Sequence, residues 1–284
     1  MRRLPGWMKM KMPKGENYSK VKNIVNQHKL HTICTSGNCP NIGECWEQGT
    51  ATFMILGDIC TRSCKFCGVK TGKPLPVDWD EPKRVAETIK LMGLKYCVIT
   101  SVDRDDLYDG GAVLWVETIK TVKKLNPEIT METLIPDFDG KEDNLKRIIE
   151  AKPDIISHNL ETVKRLTPQI RTKAKYSRSL GVIKYISDSG KISKSGIMLG
   201  LGETEEEIYE TMDDLLEAGC RIFTIGQYLA PSLNHIPVSK YISPETFDDY
   251  KTVGLKKGFQ FIESGPLVRS SFHAKKLIEA KIYN

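Results

Sequence analysis

The sequence has no long hydrophobic run, and its first residues contain no apolar stretch of the signal-peptide type. A membrane-spanning helix needs roughly 20 consecutive apolar residues, and no segment approaches that length. Acidic residues are scarce at the start, where Glu16 is the only one among residues 1–29. We therefore expect a cytoplasmic protein with no membrane partner. A basic start of this kind is suited to attracting an acidic protein or a nucleic acid, and the alternative is a solvated, partly ordered terminus. We expect no nucleic-acid partner.

The composition is not that of a disordered chain. Of the 284 residues, 40% are hydrophobic and 27% are charged, which is enough apolar material for a real core. No low-complexity linker separates a second domain. Eight cysteines in a cytoplasmic chain favour metal or redox chemistry over disulfides.

Short apolar runs alternate with amphipathic segments from Phe53 onward. Such runs are typical of strands buried on both faces of a parallel sheet. Six strand–helix units predict an α/β fold, a partial (βα)6 TIM-like barrel (53–240) with N-terminal (1–52) and C-terminal (241–284) extensions in one compact domain. The predicted strands are residues 53–60, 96–102, 129–135, 154–160, 196–202 and 223–229, with a further short strand at 259–264.

Three cysteines within eight residues, Cys60, Cys64 and Cys67, follow the first predicted strand. This group, the loop triplet, can converge on one metal centre at the end of the barrel where such folds place their chemistry. Three thiolates leave one iron of a four-iron cube open, as a catalytic metal requires. The alternative is a zinc site with a fourth ligand elsewhere, although structural zinc usually shows paired CxxC elements.

A second group, the upstream triplet, consists of Cys34, Cys39 and Cys45. Its wider spacing predicts an N-terminal loop that wraps around another centre, and reduced structural thiols are the alternative. Cys97 and Cys220 each lie alone in or beside an apolar strand, and we interpret both as buried core residues.

Both triplets, taken with residues 269–273 (RSSFH), resemble the lipoyl synthase family of the radical S-adenosylmethionine superfamily. The CxxxCxxC loop is similar to the superfamily signature, and the other two features narrow the resemblance to this family. It extends from about Leu4 to the end of the chain. One departure is Phe272, because the family usually has tyrosine there; the ring is kept and a hydroxyl is missing. Further matching segments are residues 37–46, 52–67, 100–112, 158–163 and 197–204.

The resemblance implies two [4Fe-4S] clusters and S-adenosylmethionine as cofactors. The loop triplet would hold a cluster whose open iron binds S-adenosylmethionine and whose electron cleaves it to methionine and a 5′-deoxyadenosyl radical. The upstream triplet would hold an auxiliary cluster that is the sulfur source. Its fourth ligand would be Ser271, with Ser270 as the alternative, and His273 would lie nearby. Because a serine oxygen is harder than a thiolate, we infer that it makes one corner of the cluster labile.

The implied activity is that of a sulfurtransferase. It would insert two sulfur atoms at C6 and C8 of an octanoyl group on a lysine of a lipoyl carrier protein, using two S-adenosylmethionine molecules. The implied partners are the glycine cleavage H protein or a dehydrogenase E2 lipoyl domain, an electron donor such as flavodoxin or ferredoxin, and cluster-assembly proteins. The alternatives are a biotin synthase-like enzyme or methylthiotransferase, and an iron–sulfur electron carrier. Such a carrier would ligate each cluster fully with cysteine.

Polar residues at strand ends are the expected contacts of S-adenosylmethionine. In the superfamily, the end of the second strand often contacts the methionine amino group, and the end of the fourth often holds the ribose hydroxyls. Rim residues, helix caps and structural ion pairs are the alternative for each position. No acid–base pair is expected beyond the cluster ligands. The expected contacts are Ser101 and Asp103 on the second strand, Asn159 and Glu161 on the fourth, and Arg171 as a partner of a carboxylate.

Overall fold

The computed structural model describes residues 4–8, 12–48 and 50–271. The chain divides into two compact units. The first unit comprises the described residues within 10–63 and 68–155, and the second comprises those within 1–9, 64–67 and 156–284. Phe272 and His273 lie outside the described residues. The proposed division into a barrel and two extensions stays a prediction.

The first unit is built on a short, mainly parallel sheet. Strands β2, β5 and β6 follow one another in parallel, and β1 pairs with β2 in the antiparallel sense. Its helices and strands are α1 (Glu16–Gln27), β1 (His31–Thr32), α2 (Ile33–Ser36), α3 (Ile42–Glu47), β2 (Thr52–Ile55), β3 (Ile59–Cys60), β4 (Lys70–Thr71), α4 (Glu81–Leu91), β5 (Tyr96–Ser101), α5 (Ala112–Leu125), β6 (Thr130–Leu134) and α6 (Glu142–Glu150).

The second unit repeats the same alternation. Strand β8 pairs in parallel with β9, and β9 pairs in parallel with β10. Apolar side chains of β8 and β9 pack with those of α9 and α10 in one buried cluster. The elements are β7 (Ile155–Ser157, which begins at the end of the first unit), α7 (Thr167–Ile170), α8 (Tyr176–Asp188), β8 (Ile192–Leu199), α9 (Glu205–Glu217), β9 (Ile222–Gln227), α10 (Pro244–Lys257) and β10 (Phe261–Gly265).

The α/β class and all six predicted strands are confirmed, as is the further strand near residue 260. The strand bounds differ for physical reasons. The first predicted strand ends at Ile55, because Leu56 and Gly57 adopt positive φ values of 69° and 91°. Strand β8 begins at Ile192 rather than at Gly196, since its first residues are polar and still buried.

Two smaller predictions can also be checked. Cys97 and Cys220 are buried core residues, as predicted. No helix within the described residues combines the length and the apolarity that crossing a bilayer would require.

A buried carboxylate holds the turn after β2. Leu56 is left-handed there, a conformation that costs a non-glycine residue about 1–3 kcal/mol. Glu81, at the start of α4, accepts a hydrogen bond from the Leu56 N–H at 2.7 Å. Its side chain lies in the core and is only 3% exposed. Burial raises the pKa of Glu81 to about 7, against the lowering effect of the Leu56 amide.

Glu81 should make the stability of the fold depend on pH. A carboxyl whose pKa is raised on folding binds its proton more tightly in the folded chain, so ionisation disfavours the folded state. The free energy of unfolding should therefore fall as the pH rises from 4.5 to about 7, by about 3 kcal/mol from this group. In Glu81→Gln, which keeps an acceptor for Leu56, this part of the decline should disappear. Apparent unfolding temperatures between pH 4.5 and 8 measure the effect.

Glu87→Gln is the matched control, because Glu87 lies on the same helix and is exposed beside Lys83. It should keep the wild-type pH dependence. Parallel curves for the wild type and Glu81→Gln would contradict the assignment.

Candidate metal centres

Cys60 lies at the end of β3, with backbone donors close to its sulfur. The N–H groups of Arg62 and Asp103 are each 3.4 Å from the Cys60 Sγ. The Thr61 N–H donates to the Asp103 carbonyl oxygen at 3.1 Å, which fixes the two loops together. Hydrogen bonds to sulfur favour the thiolate, the form that binds iron.

The other two members of the loop triplet lie in the second unit. The Cys67 N–H donates to the Cys64 carbonyl oxygen at 3.0 Å, so the two residues share one tight turn. The Lys65 N–H donates to the carbonyl oxygen of Ile170 at 2.9 Å. His235 Nε2 lies 3.0 Å from the Cys67 carbonyl oxygen and donates to it. Backbone contacts therefore fix this turn.

A buried arginine fixes the segment that follows Cys60. The Arg62 side chain donates to both Asp105 oxygens at 2.8 Å and to Asp137 Oδ1 at 2.8 Å, and it lies 3.2 Å from Asp103. These carboxylates follow β5 and β6, whereas Arg62 follows β3. Burial disfavours the cation, but the carboxylates outweigh burial and raise the pKa of Arg62. One permanent charge thus ties the cysteine-bearing loop to the ends of two strands.

This network was not predicted from the sequence. Arg62, Asp105 and Asp137 had no predicted role, although acidic residues following two neighbouring parallel strands were a usable signal. Asp103 was predicted to contact the cosubstrate, and in the structure its carboxylate forms an ion pair with Arg62. Ser101, at the end of β5, accepts a hydrogen bond from the indole N–H of Trp115 at 3.2 Å. The cosubstrate roles of Ser101 and Asp103 stay predictions.

The structure brings together the three proposed contacts of the second unit. Arg171 donates to the carbonyl oxygens of Asn159 at 3.3 Å and Leu160 at 3.2 Å. Glu161 has a positive φ of 67° and accepts from Asn159 Nδ2 at 3.2 Å. Desolvation raises the pKa of Glu161, while Arg171 and Asn159 act to lower it. The buried oxygen Oδ1 of Asn159 has no hydrogen-bond partner among the described residues, so it can accept from a ligand hydroxyl.

The upstream triplet is compact and lies wholly in the first unit. The Cys39 N–H donates to the Cys34 carbonyl oxygen at 3.0 Å, and Cys45 sits on the next short helix, α3. Burial raises the pKa of Cys34 to about 11 and that of Cys45 to about 12. Repulsion from neighbouring thiolates of the triplet adds to both shifts. The three sulfurs are therefore close enough to repel one another when ionised.

Trp46 indicates which kind of bound group fits the upstream triplet. This side chain is 2% exposed, and its Nε1 has no hydrogen-bond partner among the described residues. Burial dominates the pKa of Cys34, but the Trp46 N–H acts to lower it, which places this donor beside the sulfur. A buried donor without an acceptor is costly, and an anionic sulfur is the acceptor within reach. The residues thus fit a group that turns these thiols into bound thiolates.

No three His, Cys, Asp or Glu side chains within the described ranges form a set that would hold a single metal ion. A four-iron cube binds each cysteine through a different iron, so its ligands need not converge on one point. All eight cysteines lie in the described ranges, and each is a thiol rather than half of a disulfide.

Comparison with known proteins defines the class. The model of the radical SAM superfamily matches residues 54–215. The structure of SuiB from Streptococcus suis, bound to S-adenosylmethionine, aligns with a TM-score of 0.58 at 12% identity, over 88% of this chain and 57% of that one. Methylornithine synthase (PylB) aligns with a TM-score of 0.56 at 13% identity, over 87% and 78%. These structures share the fold, and the protein is a radical S-adenosylmethionine enzyme.

The particular family follows from closer relatives. The model for the N-terminal domain of lipoyl synthase matches residues 1–39. The lipoyl synthase of Flavobacterium psychrophilum is 60% identical over 96% of this chain and 95% of its own length. The mitochondrial lipoyl synthase of Nematostella vectensis is 59% identical over 96% and 94%. The chain belongs to the lipoyl synthase family.

Family membership confirms several of the predictions. The protein is a sulfur-inserting enzyme that uses S-adenosylmethionine and a [4Fe-4S] cluster, and its substrate is a lipoyl carrier. The biotin synthase-like, methylthiotransferase and electron-carrier alternatives are wrong.

The Arg62 network predicts a specific defect. Arg62→Lys keeps the charge but cannot form the bidentate contacts, and this should cost about 2 kcal/mol or more. Because the loop carrying Cys60 would loosen, the mutant should lose most of the paramagnetic signal that changes when S-adenosylmethionine is added to reduced protein. Electron paramagnetic resonance on anaerobically prepared protein measures this.

Arg104→Lys is the control, since Arg104 is also buried and binds Asp106 through two hydrogen bonds. It should lose stability and keep the signal. An undiminished signal in Arg62→Lys would show that the loop does not need this anchor.

Proposed function

We propose that this protein inserts sulfur at C6 and C8 of an octanoyl group held on a carrier-protein lysine, and that it uses two [4Fe-4S] clusters to do so. The observation that carries the second cluster is the upstream triplet, where Cys34, Cys39 and Cys45 are near neighbours and the buried N–H of Trp46 lies beside the Cys34 sulfur. Buried thiols that raise one another's pKa are poor thiolates by themselves. Positive iron at that position would relieve their repulsion.

The loop triplet would hold the first cluster. When bound and reduced, it supplies the electron that cleaves S-adenosylmethionine into methionine and a 5′-deoxyadenosyl radical. Two backbone N–H groups lie beside the Cys60 sulfur and would support its thiolate once iron is bound, and Arg62 keeps the loop in place. We expect no general acid or base in this site beyond these ligands.

The cosubstrate contacts are assigned by chemistry. Asn159 Oδ1 would accept a hydrogen bond from a ribose hydroxyl, and Glu161 would accept one from the neighbouring ribose hydroxyl. Ser101 and Asp103, which follow β5, would contact the methionine amino group. Arg171 already binds two backbone carbonyl groups, so we assign it to orienting Asn159 while its charge favours a carboxylate nearby.

Ser271 would complete the auxiliary cluster with an oxygen ligand, and that cluster would supply the sulfur. The carrier would be the glycine cleavage H protein or an E2 lipoyl domain, and the basic N-terminal residues would favour an acidic carrier surface. A flavodoxin or ferredoxin would deliver electrons, and cluster-assembly proteins would restore the consumed cluster.

The defining experiment separates the two clusters. With octanoylated carrier peptide, dithionite and S-adenosylmethionine, the wild type should add two sulfur atoms with no net change in hydrogen, because the product under reducing conditions is the dithiol; mass spectrometry measures this. Cys60→Ala should release no 5′-deoxyadenosine. Ser271→Ala should still release it and lose most of the sulfur insertion.

Iron and sulfide analysis gives the independent readout. Anaerobic wild-type protein should contain about eight of each, as two four-iron clusters require. About four of each would refute the two-cluster mechanism, whereas full sulfur insertion by Ser271→Ala would refute the serine ligand.

Trp46 should tune the auxiliary cluster. Trp46→Phe replaces the indole by another aromatic ring that has no N–H, so a hydrogen bond to a cluster thiolate would be lost. Hydrogen bonds to cluster sulfurs raise the reduction potential, and the auxiliary potential should become more negative. A spectroelectrochemical titration measures it. Trp115→Phe, which removes a buried N–H that binds Ser101, should leave the auxiliary potential where it is.

A further inference from the structure

The segment just before Ser271 is held unusually close to the sheet of the second unit. Val268 lies against β9 at Gly226, where an added Cβ would come within 2.0 Å of the Val268 carbonyl oxygen. Only glycine permits this approach without a shift of the backbone. Arg269 donates to the same carbonyl oxygen at 2.7 Å, and the Val268 N–H donates to Gly265 at 3.1 Å.

A buried lysine binds the next peptide group. Lys194 lies on β8 and is 2% exposed, and its Nζ donates to the Ser270 carbonyl oxygen at 2.6 Å. A buried ammonium is costly unless it is hydrogen-bonded, so its presence beneath this segment requires a reason. The carbonyl that it binds belongs to the peptide bond joining Ser270 to Ser271.

Asn159 holds the same serine by its side chain. Its Nδ2 donates to the Ser270 Oγ at 2.7 Å and to Glu161 at 3.2 Å. The Ser270 hydroxyl is therefore already used as an acceptor inside the unit. Binding of iron by Ser270 would compete with this contact, whereas the side chain of Ser271 is one residue further along.

We propose that Lys194 and Asn159 are positioning residues that hold Ser270 by its carbonyl and hydroxyl groups and so present Ser271 as the fourth ligand of the auxiliary cluster. This inference rests on the proposed function. In this arrangement Ser270 is the anchor and Ser271 is the ligand.

The anchor has a consequence for the order of the segment. If the Ser271 oxygen leaves its iron during sulfur transfer, the contacts to Ser270 keep the segment in place. A labile ligand is therefore compatible with an ordered chain.

The test uses Lys194→Met in the full-length, cluster-loaded protein. Hydrogen exchange of the peptide covering residues 266–271 should accelerate about tenfold, because a charge-assisted hydrogen bond is lost. In ⁵⁷Fe Mössbauer spectra, at least half of the oxygen-ligated iron signal that Ser271→Ala removes should disappear. Sulfur inserted per 5′-deoxyadenosine released should fall about tenfold as well.

Ser193→Ala is the matched control, since Ser193 is the neighbouring buried residue on β8 and bonds to Gly219 instead. It should leave all three readouts unchanged. Should Lys194→Met fail to fold, Gly226→Ala gives the same test, because it displaces Val268 and leaves Lys194 intact.

The outcomes separate the two claims. Wild-type exchange and a full oxygen-ligated iron signal in a folded Lys194→Met or Gly226→Ala protein would overturn the anchor. An unchanged Mössbauer spectrum in Ser271→Ala would instead overturn serine ligation, and the exchange measurement would still decide whether Lys194 anchors the segment.

Discussion

The buried ion network around Arg62 is the interaction on which the first unit's chemistry depends. The guanidinium reaches three carboxylates that follow two different strands, and the residue itself lies two positions after Cys60. Loops carry most of the polar groups of an α/β enzyme and are its least constrained parts. Here a desolvated charge makes one of them rigid, since any movement of the loop would separate a buried cation from its partners. The backbone donors aimed at the Cys60 sulfur are positioned by the same contacts.

The two proposed centres differ in what surrounds their thiols. The Cys60 sulfur lies beside two backbone N–H groups and the Asp103 carboxylate. Cys34 is buried and Cys45 is half-buried, and desolvation and neighbouring thiols of the triplet raise the pKa of both. Iron bound at the upstream triplet would relieve that repulsion.

Much of this was predictable from the sequence. The resemblance carried by both cysteine triplets and residues 269–273 indicated the family, and the apolar runs located all six strands, because strands buried on both faces leave a continuous signal. The start of β8 was missed, since Lys194 and its serine neighbours are polar and still lie inside. The contacts of Ser270 were not predictable either. They join residues 76 and 111 positions apart, and local patterns carry no information on such pairs.

The amide of Asn159 has a consequence for ligand selectivity. An amide is planar, and its NH2 end is committed to Ser270 and Glu161, so its oxygen end cannot exchange places with the nitrogen. The position therefore presents an acceptor and never a donor. A nucleoside with a hydroxyl there would satisfy the buried oxygen, whereas a deoxy analogue would leave it unpaired at a cost of about 1–3 kcal/mol. The same side chain that secures the chain's own serine would thus distinguish ribose from deoxyribose.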